Sequence, residues 1–173
     1  MANRLTSIRK LFWIIVITAF SCNSHQNKEQ SQRLSSAKDD TKALESKASL
    51  LYDQDRYSEA VKYFDYLIKI DSLNGEYYYK RAYSHGMLSQ RVMATEDYKK
   101  AIQFRFKVND AYYNIGVNYL FTNDSLALDN FQRCIEVDPN YSKAYWQITE
   151  CKKRIAKERT MLPEKQTVSK KPQ

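Results

Sequence analysis

The sequence predicts an all-α protein built from helix-turn-helix repeats, and three observations carry that expectation. Ala48, Ala82 and Gly116 recur at intervals of 34 residues, and a fixed period of this size marks stacked supersecondary units. Around them, apolar residues repeat at spacings of three and four, which gathers them on one stripe of a helix rather than one face of a strand. The 173-residue chain also holds only 3 Gly and 3 Pro, a poor supply for the tight turns of a β-rich fold.

Each unit reads as two helices. On the first helix, Leu44, Tyr78 and Tyr112 stand four residues before the small residue, and Tyr145, four before Thr149, opens a fourth partial copy. The second helix carries Ala60, Ala94 and Ala127. Phe64, Tyr98 and Phe131 follow these by four, and Ile68, Ile102 and Ile135 come four later again. Small residues let two helix axes approach, and the bulky residues one turn away fill the space around the contact. Short polar turns at Asp53 to Arg56, Ser89 to Arg91 and Thr122 to Asp124 separate the helices within each unit. Asp138-Pro139-Asn140 ends the sixth helix, because Pro has no N–H to continue it.

The stretches YSEAVKYFDYLIKIDSLN and LALDNFQRCIEVDPN resemble the tetratricopeptide repeat (TPR) family. The resemblance covers a domain over 41–162: repeats at 41–74, 75–108 and 109–141, then a capping helix over 142–162. There are departures, since the second copy ends Phe104-Arg105-Phe106 without an Asp-Pro stop and Lys47 occupies a site that is usually apolar. The resemblance implies a right-handed superhelix whose concave surface is lined by the first helix of each repeat. On that surface it places Tyr79, Lys80, Tyr83, Tyr113, Asn114, Trp146 and Gln147 as candidate partner-binding residues. Tyr and Trp suit such a groove, offering large contact area, few rotors and a polar handle. Tyr78, Tyr112 and Tyr145 are expected to pack between repeats instead. Some family members clamp the C-terminal carboxylates of chaperones with Lys, Asn and Arg. The corresponding sites here read Lys42-Ser46, Lys80 and Asp110-Asn114, so that clamp is missing.

The amino-terminal end has a different grammar. A basic lead with Arg4, Arg9 and Lys10 precedes the ten-residue apolar run LFWIIVITAF, then Ser21-Cys22 and a polar stretch. The run is half the roughly 20 residues a spanning helix needs, and the order is that of an export signal. AFSC resembles a bacterial lipoprotein signal, although Phe20 is bulkier than the usual residue there. The resemblance implies a signal peptide over 1–21, acylation of Cys22 and membrane anchoring through the attached lipid. Residues 22–40, nearly devoid of apolar side chains, are expected to be a flexible tether, and 163–173 a disordered basic tail.

Charge narrows the partner class. The formal net charge is +8, but it is concentrated at the ends: from Cys151 onward there are 8 basic and 2 acidic residues, and the body between Cys22 and Glu150 is close to neutral. A near-neutral body argues against a nucleic-acid groove. His25 and His85 stand apart with no second ligand at metal spacing, no Gly-rich phosphate loop can be built from Gly75, Gly86 and Gly116, and no nucleophile has a base beside it in sequence. No cofactor or metal is expected, and the protein is not read as an enzyme. Cys134 and Cys151 fall at small-residue sites. They read as two buried thiols or, in an exported protein, as a disulfide.

The expected function is that of a protein-interaction scaffold or adaptor of a bacterial cell envelope, in the periplasm or at the outer membrane, which binds an unidentified protein or peptide. Two other readings stay open: a glycan-binding envelope lipoprotein using the same aromatics, and an accessory subunit of an envelope assembly complex docking by its convex face.

Overall fold

The computed structural model describes Arg33 and residues 35–161, and every regular element among them is a helix. By contacts the chain divides into two units, Met1–Ser46 and Lys47–Gln173. The described part of the first unit is helical and mostly exposed. Its hydroxyls bond back along the helix, Thr41 Oγ1 donating to the Ala37 carbonyl and Ser46 Oγ to that of Lys42, both at 2.9 Å. Residues 35–40, which composition assigns to the tether, are thus helical. The export signal over 1–21, the acylation of Cys22, the rest of the tether and the tail over 163–173 lie outside the described residues. No helix among the described residues is long and apolar enough to cross a membrane.

Helix α1 covers 35–53 and enters the second unit at Lys47. There follow α2 (Tyr57–Ile70), α3 (Gly75–Met87), α4 (Arg91–Gln103), α5 (Val108–Tyr119), α6 (Asp124–Val137) and α7 (Ser142–Met161). From α2 onward each helix packs on the next in the chain, as short connections demand. The periodic residues form the contacts: Ala48, Ala82, Ala60, Ala94 and Ala127 are fully buried, and Phe64, Tyr98 and Phe131 are at most 2% exposed. The next buried position is Leu67, Ala101 and Cys134, each 0% exposed, while Ile68, Ile102 and Ile135 are only half-buried. A helix turns once per 3.6 residues, so a stripe that advances by four and then three stays centred on the contact, and two steps of four drift off it.

Two glycines are explained by this packing. A Cβ at Gly116 would stand 2.6 Å from Cε1 of Phe131, and one at Gly75 would stand 2.8 Å from Cβ of Phe106. The turns within repeats close on residues in the left-handed region, Asp55 (φ 58°), Ser89 (φ 61°) and Phe121 (φ 65°). This conformation lets amides beyond the helix end reach its last carbonyls: Arg56 N bonds Leu51 O and Gln90 N bonds His85 O.

A charged network ties α3 to both neighbours. The Arg81 guanidinium grips Asp97 of α4 through two hydrogen bonds of 2.7 Å and reaches Asp65 of α2 at 2.6 Å. Burial works against the Arg81 charge, but the hydrogen bonds to Asp97 and then Asp65 outweigh it and hold the Arg81 pKa above its usual value. The last helix buries Ala144, Ile148 and Cys151 against α6. Tyr145, expected between repeats, is 47% exposed: no further helix among the described residues covers it, and its hydroxyl donates to the Pro139 carbonyl at 3.0 Å.

Candidate functional site

The seven residues expected to bind a partner divide by environment. Tyr79 is a core residue, 8% exposed. Its ring meets those of Tyr98 at 5.4 Å and Phe106 at 5.7 Å, and Lys107 Nζ sits 5.3 Å from its centroid. The α4–α5 connection, folded back over α3, provides this cover; a stripe read from α3 alone contains no sign of it. Burial raises the Tyr79 phenol to about 12. Lys80 is held on its own surface by Glu76 at 2.7 Å and Ser49 at 3.2 Å.

Tyr83 and Tyr113 are half-buried. Tyr83 leans on Tyr52 and Tyr57, at 5.5 and 6.0 Å between centroids, and Tyr113 on Phe131 and Tyr141, at 5.4 and 5.3 Å. Each ring packs on two others and stays partly exposed. Asn114 donates from Nδ2 to the Tyr79 hydroxyl at 3.4 Å, which orients its amide. On α7, Trp146 is 64% exposed and Gln147 half-buried.

Of these seven, Tyr83 and Asn114 share a cavity. With Gly86, Met87, Arg91 and Val117 they line a cavity of about 200 Å³ between α3 and α5. A second cavity of about 250 Å³, lined by Val92, Thr95 and Tyr119, shares Arg91 and Asn118 with the first. Asn118 holds the border: its Nδ2 donates to Thr95 Oγ1 at 3.1 Å and to the Arg91 carbonyl at 3.5 Å. The rim is apolar and open, with Met87 55%, Val92 79% and Val117 38% exposed. Both cavities fall below the ~300–1,000 Å³ usual for small-molecule pockets, a size suited to single side chains.

Helical stripes alone could not find Gly86, Met87 or Arg91. Arg91 reads as the end of a polar turn, and Gly86 as an isolated glycine. One signal was available: Gly86 interrupts a helix without belonging to either small-residue series. The structure completes that clue, because a Cβ at Gly86 meets nothing within 4 Å. Unlike Gly75 and Gly116, it borders open space.

His85, Cys134 and Cys151 are packed in the core. His85 sits in the core with Nδ1 2.6 Å from Gln90 Oε1 and Nε2 4.0 Å from Asp97. Cys134 and Cys151 are both buried free thiols, so the disulfide alternative is not what the fold adopts. Burial pushes the Cys134 thiol up to about 11 and raises that of Cys151. Among the described residues no three His, Cys, Asp or Glu side chains cluster as a metal site would.

No protein-family model matches the chain, and no curated protein matches its sequence. Solved structures do match its fold. The first TPR of Spaghetti (RPAP3), bound to the HSP90 peptide SRMEEVD, superposes with a TM-score of 0.61 at 20% identity, over 67% of this chain and 93% of that one. MamA gives 0.64 at 20% identity over 67% and 68%. The Yersinia enterocolitica type III secretion chaperone SycD, in complex with a peptide of the translocator YopD, gives 0.63 at 16% over 68% and 95%. The chain therefore has the all-α helical-repeat fold of tetratricopeptide repeat domains.

Proposed function

We propose that this protein is an interaction module that binds a segment of another protein along the facing surfaces of α3 and α5, and that it works in a bacterial envelope as a lipid-anchored scaffold. The observation that carries the reading is the cavity lined by Tyr83, Asn114 and Gly86, with a glycine that packing does not require. Gly86 lies in the last turn of α3, and its missing Cβ leaves room for the close approach of a bound chain. Two of the structural relatives are solved with peptides bound, which is consistent with this use of the fold. The envelope location rests on the export and acylation pattern ending at Cys22.

A photo-crosslinking residue at Val117 tests the site in cells. A discrete protein adduct that disappears with Gly86→Leu is the expected result. An adduct from Val117 that survives Gly86→Leu would remove the Gly86 cavity from the contact, and one that forms only from Leu126 on α6 would place docking on the other face. Labelled palmitate should enter the wild type and not Cys22→Ala; equal labelling removes the anchor from the proposal.

A further inference from the structure

We infer that the paired cavities select an extended protein segment carrying an internal acidic side chain flanked by apolar ones, with Arg91 as the residue that reads the acid. This inference rests on the groove reading and specifies its ligand. The argument is one of charge and shape. Arg91 is exposed, lies where the two cavities meet, and is the one charged residue lining the α3–α5 cavity.

Other charges around this surface are already matched. Glu96, on the rim of the second cavity, is 2.8 Å from Lys99. Arg81 holds Asp97 and Asp65, and Lys80 holds Glu76. The Arg91 guanidinium makes no ion pair among the described residues, although Asn118 and Thr95 both bond to its backbone carbonyl and fix its base. An arginine offers a planar fork of donors that matches a carboxylate with two parallel bonds. On either side Met87 and Val117, then Val92 and Tyr119, provide apolar walls. Solvent-facing apolar surface gains from covering, and a free guanidinium in its midst favours a covering chain with a negative charge at that point.

The acid concerned is a side chain within the segment. Arg91 begins α4, whereas the sites that hold C-terminal carboxylates in the resembling family correspond here to Lys42-Ser46, Lys80 and Asp110-Asn114, which do not form that clamp.

The test uses the full chain, purified in detergent, and two pools of fluorescein-labelled, C-terminally amidated peptides. One pool carries a central Glu flanked by Leu or Phe, and the other is identical with Gln in place of Glu. Fluorescence anisotropy is expected to show the Glu pool binding about fivefold more tightly, the size of one partly exposed ion pair. Arg91→Lys should keep part of that preference and Arg91→Glu should invert it. Gly86→Leu should block both pools without lowering the urea midpoint. Equal binding of the two pools, or a preference that survives Arg91→Glu, overturns the inference; if Gly86→Leu still blocks both pools, the groove reading itself stands. Failure of both pools to bind, or binding indifferent to Gly86→Leu, overturns the groove reading together with the inference.

Discussion

Replacing glycine by alanine at Gly116 and at Gly86 makes one chemical change on two helices, and the structure predicts opposite outcomes. Neither glycine has positive φ, so alanine brings its helix-propensity gain of about 1 kcal/mol at Gly116, inside α5, and a smaller one at Gly86, the second-last residue of α3. At Gly116 the new Cβ would stand 2.6, 2.8 and 2.9 Å from Cε1, Cδ1 and Cζ of Phe131, where ordinary contact begins at 3.4 Å. Phe131 is fully buried and rests against Tyr113, so moving its ring displaces packed neighbours. Overpacking of this kind costs about 1–3 kcal/mol. With three ring atoms involved the upper end applies, leaving a net loss of about 2 kcal/mol. At Gly86 the Cβ meets nothing within 4 Å, and a gain of up to about 0.5 kcal/mol remains, less than in a helix interior. With a urea slope of about 2 kcal/mol per molar, the midpoint should fall by about 1 M for Gly116→Ala and rise by a few tenths for Gly86→Ala, at unchanged slope. A Gly116→Ala protein as stable as the wild type would mean that α5 and α6 pack loosely, and that the small-residue series is not what brings the helices together.

Three further outcomes follow from the same packing. Asp97→Asn should cost about 3 kcal/mol in urea unfolding because it strips Arg81 of its buried partner, whereas Asp65→Asn, at a carboxylate 47% exposed, should cost under about 1 kcal/mol; equal losses would contradict the assignment of Asp97 as the main partner. Burial raises the Tyr79 phenol to about 12 and raises those of Tyr98 and Tyr52 as well. The folded state thus favours the neutral phenol, so this stabilisation is complete below pH ~10 and is lost as pH rises toward 12. Tyr79→Phe should therefore flatten the decline of the urea midpoint in alkali by an amount equivalent to about 2–3 kcal/mol, and an unchanged decline would refute the role of that phenol. Cys134 and Cys151, buried with raised thiol pKa values, should resist iodoacetamide at pH 8 in the native protein and both react after unfolding; rapid native labelling of either would show that the α6–α7 contact opens.

The helical-repeat fold was legible because it is local and periodic. A residue three or four positions from the next apolar one must share its helix face, and the same arrangement repeated over Ala48, Ala82 and Gly116 leaves little freedom in how such hairpins stack. The site was less legible. Tyr79 and Tyr83 stand one turn apart on α3 and read as equivalent. Yet Tyr79 is covered by Phe106 and Lys107, and Tyr83 reaches a cavity wall. That difference arises from where the α4–α5 connection crosses α3, a relation between segments more than twenty residues apart that no spacing rule encodes.

The sequence by itself determined the helices, their order and the small residues and first aromatics at their contacts, because each follows from side-chain size and period along one chain. Only the tertiary structure decided which surface stays open. Gly116 continues the small-residue series and Gly86 does not, but only the structure shows that Gly86 faces empty space while Gly116 faces the ring of Phe131. Arg91 reads as a turn residue until α5 brings Asn118 and Val117 beside it. Exposure, charge pairing and cavities are properties of what neighbouring helices leave uncovered, and the position of those neighbours is settled by packing across the whole repeat.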